Sequence, residues 1–162
     1  MLTLLVVRHA KAENRDDVAD RDRRLTSQGK ADAFAIGKEV ARRGPIPQAV
    51  LCSTAKRARS TARRLLQALP STVELRCRRE LYGASADVWV VTLRDLGLMP
   101  VAMIVGHNPG LEDLVAALVG RPVTLATGAV ACLSLQLSAW GALDSRSTAD
   151  LQWVVAPSGM DL

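Results

Sequence analysis

The two histidines of the chain each follow an apolar stretch of sequence. His9 comes after the run Leu2–Val7 and is preceded by Arg8. His107 follows the run Val101–Val105 after a single intervening residue, Gly106. Short apolar runs that are rich in β-branched residues and lack polar alternation are typical of strands buried on both faces of a parallel sheet. Because ligands of open α/β sheets bind beyond the carboxyl ends of the strands, both imidazoles are predicted to lie at a ligand-binding edge.

A third apolar run, Ala49–Cys52, precedes a predicted helix that carries Arg57 in its first turn. Arg57 flanks the apolar stripe of that helix and can reach the sheet edge, whereas Arg59 cannot face the same way. Arginine binds phosphoryl oxygens bidentately, and histidine can attack phosphorus and carry it covalently. These residue types predict phosphoryl transfer without a metal. The residues alone leave two alternatives open, an anion-binding module and a basic α/β protein with structural histidines.

The composition is that of a globular chain with a basic surface. Of its 162 residues 49% are hydrophobic, and the net charge is +5. The length favours a single domain over residues 1–162. A basic surplus is compatible with nucleic acid or with a phosphorylated or acidic partner. Since aromatic residues make up only 3% and are scattered singly, the sequence offers no stacking surface, and we predict no nucleic-acid partner.

Three widely spaced cysteines form neither a disulfide framework nor a zinc pattern, which indicates a reducing compartment. With two histidines and no CxxC pair, few ligands are present for a metal, so we expect neither a metal nor a cofactor. The sequence has no basic n-region with a long apolar segment and no stretch near the ~20 apolar residues that span a bilayer. We therefore expect a cytoplasmic protein without a membrane partner. The sequence does not indicate which oligomeric state the protein has.

Hydrophobic periodicity predicts helices that alternate with the apolar strands. The predicted helices cover Ser27–Arg43, Ala55–Leu69, Ala86–Leu96 and a segment from Pro109 to Val119, and a polar loop runs from Lys11 to Arg24. Asn108 is predicted to cap the last of these helices, with Pro109 as its first residue. A weaker strand is predicted at Val73–Leu75. Two late strands, Ala129–Leu137 and Leu151–Val155, have no helix between them and predict an antiparallel edge.

Four segments, in chain order, resemble the signature of the histidine phosphatase (phosphoglycerate mutase-like) superfamily. They are Arg8-His9-Ala10-Lys11-Ala12, Arg23-Arg24-Leu25-Thr26 with Gly29, Ser53-Thr54-Ala55-Lys56-Arg57-Ala58 with Thr61-Ala62, and Val105-Gly106-His107-Asn108-Pro109. The short chain and the Arg-His-Ala-Lys-Ala form are most similar to the small SixA-type phosphohistidine phosphatases. The resemblance implies a phosphoglycerate mutase-like α/β fold of three layers, α/β/α, with a mostly parallel sheet and an antiparallel edge.

The resemblance also implies roles for individual residues. His9 would be the nucleophile, with its far ring nitrogen held by a backbone carbonyl so that the attacking nitrogen is free. Arg8, Arg57 and His107 would clamp the phosphoryl oxygens, and a protonated His107 would add positive charge. Asn108 would line the substrate pocket.

Two further positions depend on details of the motifs. Arg23 would contact the phosphate or the substrate from the long loop. Arg24 stands where the family usually has proline, so either arginine could point inward, and we expect Arg23 to do so. Glu80 is the nearest resemblance to the general acid of larger superfamily members, but a structural or surface role is favoured.

The expected activity is that of a metal-independent phosphatase with a covalent phosphohistidine intermediate. Since imidazole is a much less basic leaving group than an alkoxide, a phosphohistidine substrate needs no strong acid. The resemblance implies a phosphorylated protein with a phosphohistidine-bearing domain as the partner, with a role in signal transduction. The alternative is a small phosphorylated substrate or phosphoserine.

Overall fold

The apolar runs form a six-stranded sheet in a computed structural model, which describes residues 1–157. Its strands are β1 (Leu2–Arg8), β2 (Ala49–Ser53), β3 (Leu75–Arg78), β4 (Val101–Gly106), β5 (Val130–Leu135) and β6 (Ala149–Val155). Its α-helices are α1 (Ser27–Arg43), α2 (Lys56–Gln67), α3 (Ala86–Arg94) and α4 (Gly110–Val119). Short 3₁₀ turns cover Asp20–Asp22, Arg79–Leu81 and Trp140–Ala142.

The strand order of the sheet is β3-β2-β4-β1-β5-β6, and neighbouring strands from β3 to β1 are parallel. Strand β5 runs antiparallel to both β1 and β6. The predicted mostly parallel sheet is therefore confirmed, although the reversed strand lies one position inside the edge. Because β1 pairs with β4 and Arg8 stands opposite Gly106, the residues that follow these strands, His9 and His107, emerge side by side.

Helices cover both faces of the sheet, which confirms the three-layer α/β/α arrangement. Side chains alternate between the two faces along β1. Leu4 and Val6 pack in the cluster formed with α3 and α4, whereas Leu5 and Val7 pack in the cluster formed with α1 and α2. This double-sided burial explains why the strand carries no polar alternation.

The loop after β1 is held against the start of α1. Thr26 caps this helix by accepting the Gly29 N–H at 2.9 Å, and the Thr26 N–H donates to the Lys11 carbonyl at 2.9 Å. A Cβ at Gly29 would lie 2.2 Å from that same carbonyl oxygen. Only glycine allows so close an approach, which fixes the path of the chain two residues beyond His9.

Two local predictions were wrong. The third strand forms at Leu75–Arg78, later than predicted. Helix α4 begins at Gly110 with Pro109 in the cap position, and the Asn108 side chain does not cap it because its amide donates to the Leu125 carbonyl instead. Among residues 1–157, no helix is both long and apolar enough to cross a membrane.

Candidate active site

The His9 ring is fixed by its own backbone surroundings. Its Nδ1 lies 2.8 Å from the Ala10 carbonyl oxygen, and since a carbonyl only accepts, Nδ1 carries the proton and Nε2 keeps a lone pair. The His9 N–H donates to the Gly106 carbonyl at 3.0 Å. Burial lowers the pKa of His9 to about 4, although the Ala10 bond opposes the shift, and the Arg57 and Arg8 charges lower it further. At neutral pH the site therefore presents an uncharged imidazole with Nε2 free.

The His107 ring lies beside it, with a distance of 5.2 Å between ring centroids. Its Nε2 is 2.7 Å from Ser53 Oγ, which also accepts the Ala55 N–H at 3.2 Å. Ser53 is fully buried, and since its hydroxyl has no other acceptor within residues 1–157, we assign its proton to the bond with His107 Nε2 and the ring proton to Nδ1. That Nδ1 is buried and has no hydrogen-bond partner within residues 1–157.

The surroundings of His107 disfavour the protonated form that the resemblance implied. Burial, followed by the neighbouring His9 and the Arg57 charge, lowers the pKa of His107 to about 3. The ring is neutral at pH 7 and offers an unpartnered Nδ1–H. A phosphoryl dianion placed against this donor would raise its pKa, because a nearby opposite charge favours the protonated form.

Arg8 and Asn108 share one acceptor, the carbonyl oxygen of Leu125. Arg8 Nη1 donates to it at 3.0 Å and Asn108 Nδ2 at 3.2 Å. Arg8 Nε and Asn108 Oδ1 are buried and have no partner in the described part of the chain. The structure thus brings Asn108 beside Arg8. Within residues 1–157, Nη1 of the Arg8 guanidinium has a hydrogen-bond partner and Nε has none.

Arg57 and Arg23 meet at the carboxylate of Asp20. Arg57 is buried, and it donates to the Asp20 carbonyl at 2.7 Å and to Oδ2 at 3.0 Å. Arg23 Nε donates to Oδ1 at 3.1 Å, and its Nη1 donates to the Glu13 carbonyl at 3.1 Å. The charge of Arg23 contributes to lowering the pKa of both His9 and His107. Arg23 is therefore the arginine of this loop whose charge reaches both imidazoles, and the neighbouring Arg24 is exposed.

Tyr82 completes the contacts of Asp20. The Tyr82 hydroxyl donates to Asp20 Oδ2, and the Tyr82 ring stands edge-on to His107 at 5.7 Å between centroids. The Tyr82 bond, together with those from Arg57 and Arg23, holds the pKa of Asp20 well below its usual range, so Asp20 is ionised. Sequence reasoning missed Asp20 and Tyr82, because no motif marks an aspartate in a long loop as a partner of distant arginines.

A family model matches the part of the chain that carries His9, Asp20, Arg57 and Tyr82. The model of the histidine phosphatase superfamily (branch 1) matches residues 4–90. The chain belongs to this superfamily. An uncharacterized protein of Mycobacterium tuberculosis is 34% identical over 113 residues, which cover 69% of each chain.

Solved structures of other superfamily members have the same fold. A candidate SixA phosphohistidine phosphatase from Nakamurella multipartitia superposes with a TM-score of 0.85 at 29% identity and covers 96% of both chains. One from Agrobacterium tumefaciens gives 0.83 at 26%, over 96% of this chain and 98% of that one. A SixA protein histidine phosphatase complexed with tungstate gives 0.82 at 21%, over 97% and 98%, and shows the likeness of fold. Together these findings support a histidine phosphatase function.

Two buried hydroxyls tie the superfamily motifs together in this chain. Thr61 Oγ1 accepts the Ala10 N–H at 2.9 Å and donates to the Arg57 carbonyl at 2.7 Å. Ser53 supports His107 as described above. Both residues stood in the quoted Arg57 motif, but no role was assigned to them. The sequence feature that could have indicated a role for Ser53 and Thr61 is a hydroxyl side chain placed among residues that pack in the core.

Glu80 lies outside this set of contacts. Its side chain is 54% exposed and pairs with Arg78 at 3.7 Å. It therefore has the surface role that was favoured from the sequence. Within residues 1–157 no three His, Cys, Asp or Glu side chains group as metal ligands.

Proposed function

We propose that the chain is a metal-independent phosphatase that removes the phosphoryl group from phosphohistidine in a protein partner, through a covalent phosphohistidine at His9. The observation that carries the proposal is the His9 ring, which is uncharged at neutral pH with Nδ1 tied to Ala10 and Nε2 free among cationic side chains. A nucleophile must be deprotonated at the attacking atom, and burial achieves this without a neighbouring base.

In the first step His9 Nε2 attacks phosphorus, and the bond between phosphorus and the leaving nitrogen breaks. Arg8, Arg57 and Arg23 would neutralise the charge spread over the phosphoryl oxygens. His107 would donate its Nδ1–H, which has no other partner within residues 1–157. Asn108 would line the pocket beside Arg8. The leaving imidazole takes its proton from water.

In the second step water attacks the phosphoryl group on His9, and the electron pair of the N–P bond returns to Nε2. Phosphate leaves and the neutral ring is restored. The Thr61 bonds keep the Ala10 segment and Arg57 at a fixed separation through both steps, which preserves the attack geometry.

The carboxyl groups support phosphohistidine as the substrate over alkyl phosphates. Glu80 is exposed and ion-paired, and Asp20 is ionised and already accepts three donors. Neither is suited to protonate an alkoxide leaving group. An imidazole leaving group does not require such an acid, and the free cysteines are consistent with a reducing, cytoplasmic setting for a phosphohistidine signalling protein.

The test is a time course of phosphate release in the presence of EDTA from three substrates: a histidine-phosphorylated protein, an aryl phosphate and an alkyl phosphate. We expect turnover of the first two and little of the third. His9→Ala should abolish turnover, and acid-labile phosphate should accumulate on the native enzyme during a rapid quench. Rapid alkyl turnover lost in Glu80→Gln would instead indicate a small-molecule phosphatase, and no turnover with retained phosphate binding would indicate a binding module.

A further inference from the structure

A strongly basic groove lies between the start of α1 and one face of α2, beside the site. It has a volume of about 560 Å³, and its lining contains six cationic side chains and no carboxylate. The cations are Arg24, Lys30, Lys56, Arg59, Arg63 and Arg64. We call this surface the α2 groove.

Within residues 1–157, most cations of the α2 groove have no carboxylate of their own nearby. Several arginines outside the groove do pair with carboxylates, as in Arg15 with Asp17 and Arg146 with Asp144. In the α2 groove Lys56 pairs with Asp22 at 3.2 Å, but the other five cations have no carboxylate partner within residues 1–157. Arg59 Nε is also buried and has no hydrogen-bond partner there. Like charges gathered without counter-charges repel each other and attract an anionic ligand.

The groove and the proposed phosphate site both use residues of helix α2. Lys56, which lines the groove, directly precedes Arg57, and Arg63 lies seven residues beyond Lys56 on the same helix. At 1.5 Å per residue this places the exposed end of the groove roughly 11 Å from the Arg57 turn. An extended peptide covers that distance in about three to four residues, so a chain whose phosphorylated residue lies at His9 can reach Arg63 and Arg64 with side chains about four to seven residues away.

We propose that the α2 groove binds an acidic segment of the phosphoprotein substrate, four to seven residues from the phosphorylated histidine. This inference rests on the proposed function and assigns it a specificity determinant. The lining contains no aromatic side chain on which a nucleotide base could stack, which favours an acidic protein segment over nucleic acid.

The test uses synthetic peptides that carry one phosphohistidine and a run of four Glu or four Gln residues. The run occupies positions four to seven counted from the phosphohistidine, on either its N-terminal or its C-terminal side. We expect the native enzyme at low salt to prefer one of the two Glu peptides by about tenfold in kcat/KM, as is typical for several interfacial charges acting together. The double variant Arg63→Glu, Arg64→Glu should lose this preference and keep its turnover of an aryl phosphate and of the Gln peptides. The matched control is Arg94→Glu with Arg121→Glu, two exposed arginines outside the groove, which makes the same change in net charge.

Several outcomes would overturn the proposal. These are equal turnover of Glu and Gln peptides by the native enzyme, or an equal loss of preference in the control variant. Absence of Glu preference combined with oligouridylate binding that the groove variant loses would make the groove a nucleic-acid site. Fluorescence anisotropy with unphosphorylated Glu and Gln peptides tests the groove without turnover. Failure of all substrates with retained binding of the Glu peptide would contradict the proposed function and support the groove.

Discussion

The variant Asp20→Asn is expected to bind inorganic phosphate about 5- to 30-fold more tightly than the native protein. In the structure the Asp20 carboxylate accepts hydrogen bonds from Arg57, Arg23 and Tyr82. Asp20 therefore occupies donors that a phosphoryl group needs. Asparagine keeps the size of the side chain, removes its charge and releases these donors more readily.

The magnitude follows from the environment of the contacts. A hydrogen bond to a charged group contributes about 1.5–3 kcal/mol when both partners are shielded. The Arg57 side chain is only 6% exposed, but the Asp20 side chain is 53% exposed, so solvent reduces each contact to about 0.5–1 kcal/mol. Loss of the contacts with two arginines then gives about 1–2 kcal/mol, which corresponds to the 5- to 30-fold change.

The assay is competitive inhibition of aryl phosphate hydrolysis by inorganic phosphate and by tungstate. Asp17→Asn is the matched control, because Asp17 lies in the same loop, makes the same change in net charge and pairs with Arg15 at the surface. The control should leave both inhibition constants within about twofold. Weaker phosphate binding in Asp20→Asn would show that the carboxylate positions the arginines for the ligand, and the competition argument would be refuted.

Two further predictions follow from the buried groups. Thr61→Ala should lower the free energy of unfolding by about 1–3 kcal/mol, because it leaves the Ala10 N–H unpaired, and it should also lower kcat. Thr61→Ser should restore the free energy of unfolding, measured in urea, and kcat, measured with an aryl phosphate. An unaltered kcat in Thr61→Ala would contradict a positioning role for Thr61. The free energy of unfolding should also fall by about 1.5–2 kcal/mol per histidine between pH 6.5 and pH 5. The folded pKa values, about 4 for His9 and about 3 for His107, lie below the unfolded value of about 6.5, so the unfolded chain takes up protons first. This loss of stability should be absent above pH 7. If the free energy of unfolding of His107→Asn fell as steeply with decreasing pH as that of the native protein, the prediction for His107 would be contradicted.

The position of His9 and His107 at one edge of the sheet could be predicted, because it depends on local pattern and on a general property of parallel sheets. The buried runs before His9 and His107 mark β1 and β4, and the strand ends of such a sheet meet at one edge. The direction of Arg57 followed from helical spacing, and the structure buries Arg57 while Arg59 lines the α2 groove.

The contacts of Asp20 and the charge of His107 could not be predicted in the same way. Asp20 meets Arg57 across 37 residues of sequence, and that contact depends on the path of a loop with no periodicity. The neutral state of His107 depends mainly on desolvation by packed neighbours, which a strand-end position does not determine. The predicted cap of α4 was wrong for a similar reason: the Asn108 amide nitrogen donates to the distant Leu125 carbonyl, and the Asn108 Oδ1 that would cap the helix accepts no hydrogen bond within residues 1–157.

The electrostatics of the site link the proposed nucleophile, His9, to the proposed selectivity for a phosphoryl group. Burial lowers the pKa of both His9 and His107 well below 7, so the positive potential of the site comes from its arginines. Asp20 offsets part of that potential, and a ligand must exceed a single carboxylate in charge and in number of acceptor oxygens to replace it. A phosphoryl dianion meets this condition and brings an acceptor for the His107 Nδ1–H as well. A carboxylate side chain of a protein partner does not, and it remains free to bind the α2 groove. The phosphoryl group of the proposed substrate would thus bind at the arginines around His9, and its acidic segment would bind in the α2 groove.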